Sequence, residues 1–383
     1  MHTLRSSSCT EHRLLSTVDS TLRACLVDIT NVQISDDQWR QASLPVNAGG
    51  LGIRSISAIA PSAFLASVTR TEQLQSLLLA RCSFNTNDYH FDYVLSDWCA
   101  KFQPLLPPSG LTAAKQSSWD KPYVDATFRS LLLATEHDDY NKARLLAASA
   151  AHSGDWLHAL PISSCGLRLD NEAVRIAVKL RLGSNLCDQH VCPCGSVVDC
   201  RGTHGLSCKK SAGRSARHAY LNNIIYQALV RAGVFCVKEP VGMSRTDGKR
   251  PDGVTLVPWQ AGRSAVWDVT VIDILAASYL HATSTAAGGA AEIAATRKEE
   301  KYIGFAASHT FVPIAFETLG PISGKSKVFL RDLGRRLASV TQDARESTFL
   351  YQRFSVVIQR FNAVCIAGTF PANDYQQDNN YNW

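Results

Sequence analysis

The stretch from Lys249 to Val271, KRPDGVTLVPWQAGRSAVWDVTV, sets two acids inside otherwise apolar, β-branched and aromatic runs. Val254, Leu256 and Val257 form one run, and Val266, Trp267, Val269 and Val271 form the other. Pro258 and Gly262 lie between them, so the stretch reads as a β-hairpin. Pairing the two runs brings Asp252 and Asp268 side by side. Carboxylates that converge on one sheet edge repel each other unless a cation lies between them, so the hairpin predicts a hard-metal site for Mg²⁺ or Mn²⁺.

Upstream, CDQHVCPCGSVVDCRGTHGLSC is the densest metal-ligand stretch of the chain. Cys192, Cys194, His204 and Cys208 give C-x-C-x9-H-x3-C, the soft donor set of a closed tetrahedral Zn²⁺ site. Such a site folds a loop too short to own a core. Gly195, Gly202 and Gly205 supply tight turns around an ion. Cys187, His190 and Cys200 are spare candidate ligands, and a loop of unbound thiols is the alternative.

Composition narrows the setting. With 383 residues and 45% hydrophobic content, the chain can form two or more soluble domains. The net charge of +6 is compatible with nucleic acid without requiring it. Twelve cysteines would suggest a disulfide framework in a small secreted protein, but the N-terminus has no apolar signal region. A reducing nuclear or cytoplasmic setting is therefore expected. No apolar run reaches the roughly 18 residues of a membrane span.

Along the chain, apolar residues recur at helical spacing from Glu11 to about Thr30, and Ser35 to Gln38 has the form of a capping box. Pro61 is expected to open a further helix reaching Leu79. Residues Ser83 to Lys121 read as an irregular connection, followed by helical stretches at Val124–Ala151 and Asn171–Leu182. Trp156 is assigned to a core or interface. A helix from Arg214 to Ala232 carries Arg214, Arg217, His218 and Asn222 on its polar side, where a basic face could meet phosphates. The short strand VFCV and the hairpin come next. A helix at Ala286–Ala307 and the strand HTFVPIAFETLG complete an α-β-β-β-α-β order. Val328–Val340 and FLYQRFSVVIQRFNAV are expected to be helical or packed on the domain, and DYQQDNNYNW is expected to be a disordered tail.

Several of these segments carry a resemblance. QWRQASLPVNAGGLGIRS followed by APSAFLASV resembles the segment just after the polymerase core in reverse transcriptases of non-LTR (LINE-type) retrotransposons. The Asp-Asp pairs of SDDQW and HDDYN lack the context of that family's polymerase metal site, so no DNA synthesis is expected. Further on, CxC…HGLSC, SAGRSARHAYLN, KEPVGM, KRPDG, WDVTV, TRKEEKY, FETLGP and QRFNAV follow one another in an order similar to the C-terminal part of such proteins. That part carries a CCHC zinc knuckle and a restriction-like, PD-(D/E)xK endonuclease.

The resemblance implies an α+β chain in five parts: a remnant following the reverse-transcriptase core (1–55), a helical linker (56–184), the knuckle (185–210), the endonuclease domain (211–340), and a C-terminal helix with a tail (341–383). It implies Mg²⁺-dependent nicking of DNA for target-primed reverse transcription, with Asp252 and Asp268 as the metal carboxylates. The nuclease pattern places a lysine two residues after the second acid, where this chain has Thr270. Lys298 on the following helix is the expected replacement, with Lys301 as the alternate. Lys249 and Arg250 are expected to contact backbone phosphate, as are Arg214 and Arg217. Glu239 is a weaker candidate for a third acid, and Asp247 precedes the hairpin. DNA is the expected partner and element RNA a further one, with no membrane and no small-molecule cofactor. The rival expectation is a non-catalytic nucleic-acid-binding remnant built on the knuckle and the basic helix.

Overall fold

The computed structural model describes residues 2–79, 89–243, 248–305 and 307–371, and they divide between two units, 1–134 and 135–383. The architecture is mixed α+β. The stretch expected as one helical linker contributes to both units.

The first unit is helical: α1 (His2–Ser6), α2 (Leu14–Thr30), α3 (Asp36–Ala42), α4 (Ile56–Leu79), α5 (Tyr89–Phe102) and α6 (Gln116–Ala134). Ser35 Oγ accepts the Gln38 N–H while Gln38 Oε1 accepts the Ser35 N–H, the reciprocal cap expected before α3. Helix α2 buries Leu15 and Leu26, but Leu14, Val18 and Ile29 of the anticipated apolar face are exposed. Helix α4 starts at Ile56, so Pro61 lies inside it. The reason is a remote cap: the Asp19 carboxylate accepts the N–H groups of Ile56 and Ser57, which starts the helix a turn early. Residues 83–88 of the expected irregular connection lie outside the described residues, and among the described ones it shortens to 103–115, because Val94 and Trp98 recur at helical spacing and bury α5. Trp98 packs edge-on against Trp119 at 5.3 Å, and each indole N–H finds a backbone carbonyl.

The second unit opens with α7 (Asp139–Ser149), α8 (Asp155–His158) and α9 (Asn171–Leu182). Asp138 caps α7 and ends the long helix expected from Val124 to Ala151. The small hairpin of β1 (His190–Val191) and β2 (Val197–Val198) precedes α10 (His204–Ser207) and α11 (Ala212–Arg231). Strands β3 (Cys236–Lys238), β4 (Gly253–Thr255) and β5 (Ala265–Ile272) follow, then α12 (Ala277–Thr285), α13 (Gly289–Lys301) and β6 (Thr310–Glu317). Helices α14 (Gly324–Thr341) and α15 (Glu346–Ala367) end the described fold. The tail DYQQDNNYNW and Asp247 lie outside the described residues.

The four strands form one sheet in the order β3-β4-β5-β6, with β5 and β6 parallel and the other pairs antiparallel. Alternation along β5 sends Trp267 and Val269 into a core with Leu221, Ile225, Phe354 and Ile358, residues of α11 and α15. Ile272 meets Ala290, Ala291 and Ala294 of α13 in a separate cluster. The helix expected at Ala286–Ala307 forms as the shorter α13, and α12, just before that range, adds a helix to the anticipated order. Gly288 takes φ +87° at the break, and the buried Glu317 carboxylate accepts the N–H groups of Gly288 and Ala291, so the chain restarts as α13. Trp156 is buried as expected, its backbone N–H donating to Ser355 Oγ. Among the described residues, no helix is long and apolar enough to cross a membrane.

Candidate metal centre and acidic cleft

The ligand atoms of Cys192, Cys194, His204 and Cys208 all lie within 4.8 Å of one another. Backbone bonding around Gly195, at φ +91°, turns the chain so that Cys192 and Cys194 present their thiols together. Helix α10 brings His204 and leads to Cys208. A Cβ at Gly205 would lie 2.6 Å from the Cys365 carbonyl, so glycine lets α10 dock closely on α15. Cys192 Sγ lies 3.8 Å from Cys208 Sγ, and Cys194 Sγ lies 3.2 Å from His204 Nε2. Burial pushes the Cys192 thiol up to about 11, whereas hydrogen bonding to Ser196 holds Cys194 down to about 6. Three thiols and an imidazole converging on one point fit a metal such as zinc.

The spare candidates have other partners, although Cys187 packs against the cluster. His190 stacks on Phe370 at 4.2 Å and bonds Thr369 and the Asp188 carbonyl. The Cys187 thiol reaches the Asp199 carbonyl, and Cys200 is exposed.

The second cluster sits where β4 begins. Asp252, one residue before β4, donates its backbone N–H to the Trp267 carbonyl (3.0 Å), and its Oδ2 accepts the Val269 N–H (2.6 Å). Asp252 thus bonds both residues flanking Asp268, which brings the two acids together as the hairpin reading expected. The Ala261-Gly262 turn, with both residues at positive φ, closes that hairpin. Lys298, from α13, forms an ion pair with Asp268 Oδ1. Lys301 instead donates to the Tyr302 hydroxyl at 3.0 Å, and that hydroxyl donates to the Arg250 carbonyl.

His218 is the residue missing from the sequence-derived site. Its Nε2 donates to Asp252 Oδ2 at 3.0 Å. This bond raises the imidazole above its ordinary value; burial opposes the shift, and the charges of Asp252 and Asp268 reinforce it. One turn along α11, Asn222 accepts the Trp267 indole N–H (2.8 Å) and donates to the Asp252 carbonyl (3.4 Å). The signal was the i, i+4 pairing of His218 and Asn222 on the polar side of the helix.

A cleft of about 470 Å³ is lined by Lys209, Arg214, His218, Thr270 and Lys298, among others. His218 and Lys298 form part of its wall, each holding an acid that is largely buried. Asp252 Oδ1 and Asp268 Oδ2 have no hydrogen-bond partner among the described residues.

The basic residues divide. Arg214 lies along the cleft, its guanidinium donating to the Ser207 and Cys208 carbonyls at the end of the metal-ligand stretch. Arg217, expected to contact phosphate, is corrected to a buried residue at 1% exposure bonded to Asn362 (2.8 Å), because α11 turns it toward α15. Burial pulls it below the usual guanidinium value. Arg250 pairs with the Glu239 carboxylate, so Glu239 is not presented as a third acid. Lys249 is exposed. No protein-family model matches this chain, and no curated protein matches it.

Proposed function

We propose that this chain is the C-terminal part of a non-LTR retrotransposon protein and that its second unit is a metal-dependent DNA endonuclease of the restriction-like, PD-(D/E)xK kind. The observation that carries the reading is the trio of Asp252, Asp268 and Lys298. An acid just before β4, an acid on β5 and a lysine from α13 come together, where β5 itself supplies only Thr270. The order of sequence motifs around that point supports the same reading.

When bound, Mg²⁺ or Mn²⁺ would polarise a phosphodiester and lower the pKa of water. Asp252 and Asp268 would hold it through the two oxygens that lack protein partners. The Lys298 ammonium neutralises Asp268 in the free protein and would offset charge developing on the phosphate during cleavage. Lys209 and Arg214 continue the positive wall and would take flanking phosphates. The Cys/His cluster would hold zinc and fix the turn from which α11 emerges.

Conversion of supercoiled plasmid to open circles tests the reading. The expected result is nicking that requires Mg²⁺ or Mn²⁺ and disappears in Asp252→Ala. Nicking unaffected by that substitution contradicts it. A second reading, a nucleic-acid-binding remnant without catalysis, draws on the acids being already paired with His218 and Lys298. DNA retention in a gel without nicking in either metal would favour it.

A further inference from the structure

We infer that His218 is a positioning residue, holding the Asp252 carboxylate so that one oxygen stays on the protein and the other is offered to a cation. The inference rests on Asp252 being a metal-holding acid, as proposed above.

Asp252 Oδ2 receives two donors, His218 Nε2–H at 3.0 Å and the Val269 N–H at 2.6 Å. They come from different elements, α11 and β5, and together they fix the carboxylate plane. Oδ1 is left without a protein partner. A carboxylate carried on a freely turning Cβ–Cγ bond would present either oxygen, whereas a two-donor clamp selects one. This is how groups behind a ligand commonly tune a metal site.

His218 is poorly explained as a packing residue. Its side chain is 41% exposed on the cleft wall. Attachment of α11 to the sheet is supplied elsewhere, by Leu221, Ile224 and Ile225 in the core and by Asn222 on Trp267. With that anchoring in place, the imidazole contributes one directed hydrogen bond to one acid. Nδ1 has no hydrogen-bond partner among the described residues.

The test compares wild type, His218→Ala, His218→Gln and Asp252→Ala in plasmid nicking across a Mg²⁺ titration, with melting curves for each. His218→Ala is expected to melt like wild type and keep its KM for DNA within about twofold, while kcat falls about 10–100-fold and the Mg²⁺ midpoint rises. His218→Gln, whose amide can donate from nearly the same position, is expected to recover most of the loss. A His218→Ala enzyme with wild-type kcat and Mg²⁺ midpoint overturns the inference. So does one altered only in KM for DNA, or a glutamine variant no better than alanine. If wild type nicks, Asp252→Ala does not and His218→Ala is normal, the inference alone fails. A wild type inactive in every metal removes the reading of Asp252 and this inference with it.

Discussion

The Cys/His cluster and the pair of acids behind the cleft wall each gather side chains of a kind that can bind metal, and they meet charge in different ways. The knuckle brings three thiols and an imidazole together, while the nearby Lys210 and Arg214 are turned to the backbone carbonyls of Pro193, Ser207 and Cys208. Behind the cleft wall two carboxylates come together, each met by a donor, His218 for Asp252 and Lys298 for Asp268. Buried like-charged ligands need an external cation, whereas acids with built-in partners can persist without one. The Cys/His cluster could thus hold a resident ion such as zinc, whereas the two acids are already partnered within the protein.

The largest effect that would break the comparison lies in the knuckle. Cys208→Ser is expected to remove bound zinc, measured by elemental analysis, and to abolish the folding contribution of a structural site, about 10 kcal/mol of metal binding free energy in small zinc domains. A variant that keeps stoichiometric zinc would show that another ligand set is in use. Next in size, Lys298→Ala should lower the nicking rate about 10²–10³-fold, the scale of one lost charge-stabilising donor, while Lys301→Ala stays near wild type. Equal losses at both lysines would undo the distinction drawn between their contacts.

The smallest effect concerns the junction of the two regions. Burial raises Asp273, at the end of β5, to about 6, and its carboxylate interacts with Ser207 in the knuckle and with Arg217. Its folded value exceeds its unfolded one, so the stability tied to its neutral form is present below about pH 4 and is lost as pH rises through 6. Asp273→Asn should flatten unfolding stability across that window by about 1–3 kcal/mol. An unchanged profile in denaturant titrations would place the pH dependence elsewhere.

Much of this was legible in local sequence. The boundaries of α9 are where periodicity put them, and the Ser35 capping box forms as written. The four knuckle ligands assemble from their spacing alone, because donors within a short loop have few ways to meet. What escaped depended on remote partners. Asp19 moves the start of α4, and Glu317 accepts the N–H groups that begin α13 after an α12 the sequence reading lacked. His218 reaches Asp252 across 34 residues of sequence, and α15 buries Arg217 from the far end of the chain. A polar helix face does not reveal which of its residues will be covered by elements not yet formed.

The central claim, that the chain sorts a soft ion into the knuckle and a hard ion into the cleft, is tested most directly by Mn²⁺ titration of zinc-loaded protein followed by electron paramagnetic resonance. One Mn²⁺ site is expected, lost in Asp268→Asn and retained in Cys194→Ser. No bound Mn²⁺ in wild type, or a site that survives Asp268→Asn, contradicts it.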